Sequence, residues 1–376
     1  MSTDPRTRSW VEIQPQALRR NLRRIREAIG GSSAIIPMVK ADGYGLGMEQ
    51  VVETVELDDP LGYGVATLEE GLRLREAGVD KPVIVFSPIP PGAYESAVAH
   101  ALTVTISDVD SLERLSNATT AVGVKARFQV EVDTGMGRSG FDWSTVSEWG
   151  PAVAERVCAT LCWEGCYTHF HSADVEEDAA TMAQWRRFKE ALGALEGGPG
   201  SLTHACNAAA ALRYPALAAD AVRPGIFLYG GAVGLGVARP EEVVRVRARV
   251  TFIRDVAEGA TVGYRSTYRS RGAERWATLG IGYGDGLPRS LGNRGSALLS
   301  GRRVPIIGRI SMDMTVVDIT GAEGVSVGDT ATLIGTDKEE SITLDEVADL
   351  AGTISYEILT GLTSRLSRVW LASEDA

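Results

Sequence analysis

Apolar and polar positions alternate in a repeating pattern along the first 230 residues of the chain. Short, uncharged apolar runs predict buried strands at residues 34–39, 63–66, 83–86, 102–106, 126–132, 165–169, 202–205 and 222–229. Stretches with apolar residues at helical spacing predict helices at 15–30, 67–77, 93–100, 108 to about 117, from near 144, at 178–195 and from 207. Regular strand–helix alternation predicts a parallel sheet, and eight units in this length fit a (β/α)8 barrel better than an open sheet.

The pattern changes after residue 230. Residues 243–254 alternate apolar with basic residues, which is the period of a half-exposed antiparallel strand. Further strands are predicted at 276–282, 304–307, 315–319 and 330–334, with one helix at 344–351. We therefore predict an α/β protein with a barrel domain over residues 12–235 and a mostly β domain over residues 236–376 together with residues 1–11.

Composition narrows the classes of protein that fit this pattern. The chain of 376 residues has a formal net charge of −11, which argues against nucleic acid or an anionic membrane as a partner. No apolar signal segment and no uncharged stretch of membrane-spanning length is found, so we predict a cytoplasmic protein. The four cysteines are Cys158, Cys162, Cys166 and Cys206. Their spacing matches neither zinc ligand pairs nor a common iron–sulfur motif, so buried reduced thiols and no metal site are predicted.

A lone lysine ends the first predicted barrel strand. Residues 34–47 read AIIPMVKADGYGLG, so Lys40 follows the apolar run and precedes an Asp-Gly turn with Tyr44 between two glycines. Parallel barrels carry their chemistry at the C-terminal ends of their strands. An amine at that edge loses hydration, which lowers its pKa and makes it a candidate nucleophile or base. The alternative is a lysine that extends its charge into solvent.

Other polar side chains stand at the ends of later strands. They are Arg138 after the fifth strand, His169 and His171 after the sixth, Asn207 after the seventh and Arg223 at the eighth. The set is cationic, so it predicts an anionic ligand with a phosphate or a carboxylate. Each residue alone also fits a charge at a helix end or a hydrogen bond in a loop.

A series of motifs runs through both predicted domains in a fixed order. They are WVEI at 10–13, VKADGYG at 39–45, DTGMGRSG at 133–140, THFHSAD at 168–174, RPGIFLYG at 223–230, VGYRSTY at 262–268, GYGDG at 282–286, VPIIGRISMDM at 304–314 and SYE at 355–357. With these motifs the chain resembles the alanine racemases, which are fold-type III pyridoxal-phosphate enzymes. The resemblance implies an amino-acid racemase that uses pyridoxal 5′-phosphate and acts as a homodimer with shared active sites.

The resemblance assigns the two catalytic bases to Lys40 and Tyr264. Lys40 would bind the cofactor covalently and act as one base, and Tyr264 from the other subunit would act as the opposite base. Racemisation removes a proton from one face of the α-carbon and delivers one to the other, so two groups on opposite sides suffice. Both side chains have pKa values of about 10 when unperturbed. We expect a cationic His169 to lower the pKa of Tyr264. From its own residue type, Tyr264 equally fits an aromatic residue packed in a sheet.

The remaining site residues are also implied by the resemblance. Arg223 would donate to the pyridine nitrogen, and because a guanidinium keeps its proton, the ring would stay a poor electron sink. The other cofactor-binding residues would be Tyr44, His169, Asn207, Gly225, Ile226 and Tyr356. The substrate would be bound by Arg138, the backbone of Met312, Asp313 and Glu131. A narrow access channel would be lined by Asp174, Tyr283, Arg289, Arg309 and Ile354.

Four positions depart from the usual pattern of that family: Leu46, Glu131, Ala208 and Arg265. Glu131 replaces a lysine that many members carbamylate, and we expect it to pair with Arg138, directly or through water, without CO₂. Ala208 replaces a serine that contacts the phosphate, which predicts weaker cofactor binding. Leu46 replaces a histidine and Arg265 replaces a glycine. Alanine is the default substrate, and a racemase of another amino acid is the alternative.

Two other functions fit parts of the sequence. A fold-type III decarboxylase would carry a carboxylate where this chain has Arg223, so Arg223 disfavours it. A pyridoxal-phosphate carrier of the single-barrel kind would lack the β domain that supplies Tyr264.

Overall fold

The N-terminal part of the chain folds into a closed ring of parallel strands. The computed structural model describes residue 4 and residues 6–195 and 202–372. Within them the ring runs in the order Ala34–Ile35, Ala221–Arg223, Leu202–Asn207, Leu161–Tyr167, Ala126–Asp133, Thr103–Ile106, Val83–Val85 and Tyr63–Val65. A parallel bridge between Met38 and Gly64 joins the two ends of this sheet. The predicted (β/α)8 barrel is therefore confirmed.

Helices pack around the ring. They are Pro15–Ala28, Met48–Glu56, Leu68–Glu76, Tyr94–Ala99, Val109–Val122, Val146–Ala154, Ala179–Ala194 and Ala208–Arg213. In the first of them Leu18, Leu22 and Ile25 are fully buried at helical spacing, and the proline stands at the first position, where no N–H is needed. The helix Met48–Glu56 is not among the predicted ones, because its valines are as typical of a strand as of a helix.

Several predicted barrel elements differ from the structure. The strand predicted at 34–39 is regular only at Ala34–Ile35. The helix capped by Asp108 continues to Val122, beyond the predicted end near residue 117. The strand predicted at 165–169 instead spans Leu161–Tyr167. The strand predicted at 222–229 ends at Arg223, because a proline that cannot donate to the ladder follows it. The chain then forms a 3₁₀ helix at Ile226–Tyr229.

The C-terminal part forms a second, mostly antiparallel sheet. Its strands run in the order Glu340–Ile342, Thr330–Asp337, Ser296–Leu299, Arg302–Ile307, Thr315–Asp318, Glu274–Leu279, Val244–Val256, Ser9–Ile13 and Ser367–Trp370. Thr330–Asp337 also pairs with Val244–Val256, so this sheet closes on itself. The helix Leu344–Ala351 has the predicted bounds. The mostly β character predicted after residue 230 is therefore confirmed.

Smaller elements complete the described chain. The helix Ser355–Thr360 lies outside the predicted set. Thr261–Val262 pairs with Tyr268–Arg269 in a separate ribbon, and Phe141–Asp142 pairs with a barrel strand. The other short turns of 3₁₀ helix are Pro91–Ala93, Trp143–Thr145, Pro215–Leu217, Tyr264–Ser266, Tyr283–Asp285 and Arg289–Leu291. Residues 1–3, 5 and 373–376 of the predicted β domain lie outside the described residues.

The cysteines follow the prediction only in part. Cys166 and Cys206 are buried free thiols, whereas Cys158 is exposed and Cys162 is partly exposed. Cys158 precedes the strand that holds the next two cysteines, so it lies outside the barrel core. Along the described residues, none of the helices combines the length and the apolar character needed to cross a bilayer.

Candidate active site

A cavity of about 240 Å³ brings together residues from the C-terminal ends of the barrel strands. The predicted site residues that line it are Lys40, Tyr44, Arg138, His169, Asn207, Arg223, Gly225 and Tyr356. Ile226, which follows the cavity residue Gly225 in the sequence, is fully buried. Because Tyr356 belongs to the helix Ser355–Thr360, the C-terminal part of the chain also contributes to the cavity.

Lys40 lines the cavity from a left-handed turn. The regular strand before it ends at Ile35. The residues that follow Lys40 have φ between 52° and 62°: Ala41, Asp42, Gly43 and Tyr44. Non-glycine residues in this region carry strain of roughly 1–3 kcal/mol each, so the surrounding structure must hold the turn. One such contact is the hydrogen bond from the Ala41 N–H to Glu70 Oε1, at 2.6 Å.

The pKa of Lys40 is lowered from its ordinary value of 10.5. Burial is the largest cause because it penalises the charged amine, and the positive charges of Arg138 and Arg223 add to it. The carboxylate of Glu70 acts in the opposite direction. A larger share of this amine is therefore neutral and able to accept a proton than in an exposed lysine.

Arg223 is a buried cation at the same cavity. Its Nη2 donates to the backbone oxygens of Thr168 at 2.8 Å and Ala205 at 3.2 Å, and its Nη1 donates to His204 Nδ1. The guanidinium carbon lies 5.0 Å from the ring centre of Tyr167, a favourable contact between a cation and an aromatic face. Its Nε–H and the second N–H of Nη1 form no hydrogen bond with a described residue, so they are the donors left for a ligand.

A neutral histidine supports Arg223. Because a guanidinium keeps its protons, His204 Nδ1 must accept, and the Nε2–H of His204 donates to Gln129 Oε1 at 2.7 Å. Burial, followed by the charge of Arg223, lowers the pKa of His204 well below 6.5. Sequence reasoning missed both His204 and Gln129. The available signal was that these polar residues interrupt buried strands.

His169 is also neutral, which corrects one expectation. Burial, followed by the positive charges of Arg223, Arg138 and Lys40, lowers the pKa of His169 to about 3. We expected a cationic His169 to lower the pKa of Tyr264. The positive charge in that expectation is wrong, because this imidazole is neutral, and an effect of His169 on Tyr264 by another route stays a prediction.

Tyrosines surround the Gly225 end of the cavity. Tyr44 stacks on Tyr229 with ring centroids 4.4 Å apart, and its ring lies 6.1 Å from that of Tyr356. A Cβ on Gly225 would lie 2.2 Å from the Tyr44 hydroxyl, so a side chain there would displace this phenol. Burial raises the pKa of Tyr44, and burial with a contribution from Asp174 raises the pKa of Tyr356 to about 12. Both phenols are therefore hydrogen-bond donors at neutral pH.

Asn207 has a structural role within the barrel. Its Oδ1 accepts a hydrogen bond of 3.0 Å from the Ala210 N–H and caps the helix Ala208–Arg213. Its Oδ1 is thus already used, and its Nδ2 is the group that remains for a ligand.

Three predicted residues of the C-terminal part do not line the cavity of the described chain. Tyr264 is 64% exposed and Met312 is 52% exposed. Asp313 accepts a hydrogen bond of 2.6 Å from Arg365 Nη2. A single chain therefore holds Lys40 at the cavity but leaves Tyr264 on the surface.

The predicted channel residues divide into two groups. Asp174 and Ile354 line a neighbouring cavity of about 350 Å³, which shares His169, Asn207 and Tyr356 with the first. The other three, Tyr283, Arg289 and Arg309, line neither cavity within the described chain.

Comparison with known proteins identifies the family. Residues 13–233 match the model described as alanine racemase, N-terminal domain, and residues 243–370 match alanine racemase, C-terminal domain. The chain belongs to the alanine racemase family. Members of this family are isomerases.

Similar proteins match nearly the whole chain. The alanine racemase of Carboxydothermus hydrogenoformans is 36% identical over 375 residues, which cover 96% of this chain and 99% of that protein. The structure of alanine racemase from Streptomyces coelicolor A3(2) has a TM-score of 0.92 at 32% identity, covering 99% of this chain and 100% of that one. The structure from Bacillus anthracis with bound L-Ala-P has a TM-score of 0.89 at 30% identity, covering 97% of this chain and 95% of that one.

Glu131 departs from the alanine racemase pattern and has its own local partners. Its buried carboxylate accepts hydrogen bonds from Ser139 Oγ at 2.7 Å and Ser107 Oγ at 3.4 Å. It forms no direct hydrogen bond or ion pair with Arg138, so the expected pairing is not a direct contact. Burial raises the pKa of Glu131, while the Ser139 hydrogen bond and the charge of Arg138 act in the opposite direction. Glu131 therefore acts on Arg138 through its charge and through the adjacent Ser139.

The other three departures, Arg265, Leu46 and Ala208, concern backbone conformation and packing. Arg265 has φ of 63° and Ser266 has φ of 46°, in the exposed turn after Tyr264. The glycine usual in alanine racemases would adopt this conformation without strain. Leu46 and Ala208 are buried in the apolar core, and Ala208 also lines the candidate cavity.

We predict that acid destabilises the fold through its neutral histidines. Below about pH 6.5 the unfolded chain protonates His169, whereas the native pKa is about 3, so the unfolded state binds more protons between these values. The lowered pKa of His204 likewise makes the unfolded state bind more protons, so it also reduces stability as the pH falls. His169→Asn should reduce proton uptake on unfolding, measured as the slope of unfolding free energy against pH. His100→Asn, at an exposed position, is the matched control, and an unchanged slope in His169→Asn would contradict a neutral His169.

We also predict that Gly225→Ala disturbs the cavity. The new methyl group must displace the Tyr44 hydroxyl, and such overpacking costs roughly 1–3 kcal/mol of unfolding free energy. Gly92→Ala is the control, because a Cβ at Gly92 meets nothing within 4 Å. Urea unfolding of both variants measures the difference, and equal stabilities would show that Tyr44 lies elsewhere.

Proposed function

We propose that this chain is a pyridoxal 5′-phosphate-dependent racemase that interconverts L- and D-alanine. It acts as a homodimer in which each active site uses residues of both subunits. The observation that supports this most strongly is a lysine of lowered pKa, Lys40, in one cavity with the free Nε–H of Arg223. These groups supply a covalent anchor and a hydrogen-bond donor that keeps its proton.

The residues of the cavity fit pyridoxal phosphate. The backbone N–H groups of Gly225 and Ile226 donate to no described residue, although Ile226 is fully buried. Together with the protonated phenols of Tyr44 and Tyr356 they would bind the phosphate. When bound, the cofactor withdraws electrons from the α-carbon of the amino acid and makes its hydrogen more acidic. Lys40 would anchor it, and Asn207 and His169 complete the polar lining.

Arg223 determines which reaction is favoured. Its Nε–H would donate to the ring nitrogen without transferring the proton, because the guanidinium remains charged. Electron withdrawal by the ring is then limited, so negative charge at the α-carbon has to be removed quickly by a returning proton. This favours racemisation and disfavours decarboxylation.

The two proton-transfer groups are Lys40 and Tyr264 of the partner subunit. Lys40 accepts or donates a proton on one face of the α-carbon, and burial makes its neutral form accessible. Tyr264 is exposed and lies outside the cavity of its own chain, which is consistent with a residue that contributes to the site of a second subunit. A phenol on the opposite face would complete the exchange.

The substrate carboxylate would be bound by Arg138 at the cavity and by the backbone N–H of Met312 of the partner subunit, and Asp313 of the partner subunit would line the site beside it. Glu131 would position Arg138 through Ser139. Alanine as substrate is supported by the relatives, among them the Bacillus anthracis protein with bound L-Ala-P. The division at residues 235 and 236 and the cytoplasmic location stay predictions.

Mixing two inactive variants tests the shared site. Lys40→Ala and Tyr264→Phe should each lose most racemase activity as pure proteins. After denaturation and joint refolding, half of the dimers contain one chain of each kind, and one of the two sites in such a dimer has both native groups. Activity should therefore return to about a quarter of the wild-type value, measured as interconversion of L- and D-alanine, which needs both groups, whereas exchange of the α-hydrogen on one face needs only one.

The matched control is the same mixing of Lys40→Ala with Arg223→Met, because both residues lie in the same cavity of one chain. That mixture should stay inactive. Absence of recovery in the first mixture would contradict the shared site. Wild-type protein that shows neither pyridoxal-phosphate binding nor exchange with alanine would contradict the function itself.

A further inference from the structure

Arg368 connects the two halves of the molecule close to the cavity. Its Nε and Nη2 donate to the carbonyl oxygen of Gly45 at 3.0 and 2.7 Å. Its other hydrogen bonds reach three carbonyl oxygens in the C-terminal part, those of Leu362, Thr363 and Leu366. Its hydrogen-bond partners in the described chain are all backbone carbonyls, and it forms no ion pair there, although the charge of Asp42 in the same turn acts on it electrostatically.

The carbonyl that Arg368 binds is the end of the turn that presents Lys40. Gly45 closes this left-handed turn with φ of 83°, and a Cβ there would lie 2.6 Å from the Leu359 carbonyl oxygen. The turn is thus pressed against the helix Ser355–Thr360, which carries Tyr356. Several residues of the turn are strained, so a contact at its end is needed to keep the whole turn in place.

The backbone around Arg368 does not need this side chain to stay in position. The strand Ser367–Trp370 pairs in parallel with Ser9–Ile13, and the Leu371 N–H donates to the Ile13 oxygen at 2.9 Å. The contacts of the guanidinium with Gly45 are therefore additional to those that hold the strand. Their effect falls on the turn rather than on the sheet.

We propose that Arg368 is a positioning residue for the cofactor site. It fixes the turn from Lys40 to Gly45 against the helix of Tyr356, and so sets the distances between the lysine anchor and the two phenols at the phosphate end. The proposal rests on the proposed function of this site. Arginine is required because one planar group must reach carbonyls in two directions, which a lysine ammonium on a flexible stem does not reproduce.

The test compares Arg368→Gln and Arg368→Lys with Arg302→Gln. Arg302 is an exposed arginine of the same sheet whose Nη1 donates to the Gly321 carbonyl at 2.8 Å, so it controls for the loss of an arginine–carbonyl contact. Three quantities are measured for each protein: the dissociation constant of pyridoxal phosphate from the apoprotein, the thermal midpoint of the apoprotein, and kcat and KM for alanine at saturating cofactor.

We expect Arg368→Gln to weaken cofactor binding by about tenfold or more, equivalent to about 1.4 kcal/mol, and to lower kcat more than it changes KM. Arg368→Lys, which keeps the charge and most of the stem, should fold like the wild type and still bind the cofactor more weakly. Arg302→Gln should bind it normally.

Two results would overturn the inference while leaving the function intact. One is a wild-type cofactor affinity in Arg368→Lys. The other is a lower thermal midpoint in Arg368→Gln with unchanged cofactor affinity and kcat, which would mean that Arg368 stabilises the C-terminal segment alone. Failure of the wild-type protein to bind pyridoxal phosphate would instead overturn the proposed function.

Discussion

The candidate site depends on a guanidinium buried at the mouth of a closed barrel. Removing a cation from water costs several kcal/mol unless hydrogen bonds replace its hydration. Arg223 obtains them from backbone oxygens and from the neutral ring of His204, and within the described residues it forms no ion pair. No ion pair therefore neutralises its positive charge directly, although the buried carboxylate of Glu131 interacts with it electrostatically. Together with burial, this positive charge keeps His169 and His204 neutral and contributes to the lowered pKa of Lys40.

This arrangement combines a positive potential with neutral histidines, two properties that a solvent-exposed site would not have together. The cavity has a positive potential that suits a phosphate and a carboxylate, yet its histidines are neutral and the pKa of Lys40 is lowered. Desolvation produces the second property, and cations held by carbonyls and neutral side chains produce the first. The phenols of Tyr44 and Tyr356 remain donors for the same reason, because burial raises their pKa values.

In the proposed dimer the C-terminal part would present the other half of the site, and within one chain a network of hydrogen bonds and ion pairs supports its loops. Asp285 is fully buried and accepts hydrogen bonds from Arg8 and from the Gly282 N–H, and its Oδ1 lies 3.3 Å from Arg365 Nε. Arg365 in turn binds Asp313. These contacts fix the loop of Asp313 on the surface of one chain, where a second chain can approach it. Exposed residues such as Met312 are thus held in place before any partner binds.

Much of the barrel was predictable because strands buried on both faces produce apolar runs that are visible in the sequence. Lys40 and Arg223 were predictable as polar residues at the ends of such runs. The side chains that hold Arg223 in place were not predictable. His204 and Gln129 are separated by 75 residues and meet only in the folded barrel. The partners of Glu131 and the charge of His169 likewise depend on three-dimensional distances and burial. Tyr264 is exposed in its own chain, and in the proposed shared site its place depends on a second chain, so no pattern in one chain locates it.

The most direct measurement of the central claim is the pKa of Lys40 in the wild-type apoprotein. NMR of lysine-labelled protein can follow this amine through its titration, with its signal assigned by its loss in Lys40→Met. The account predicts a pKa below the ordinary 10.5, which rises when the charge of Arg138 is removed by Arg138→Met. A pKa of 10.5 or above in the wild-type protein would contradict it.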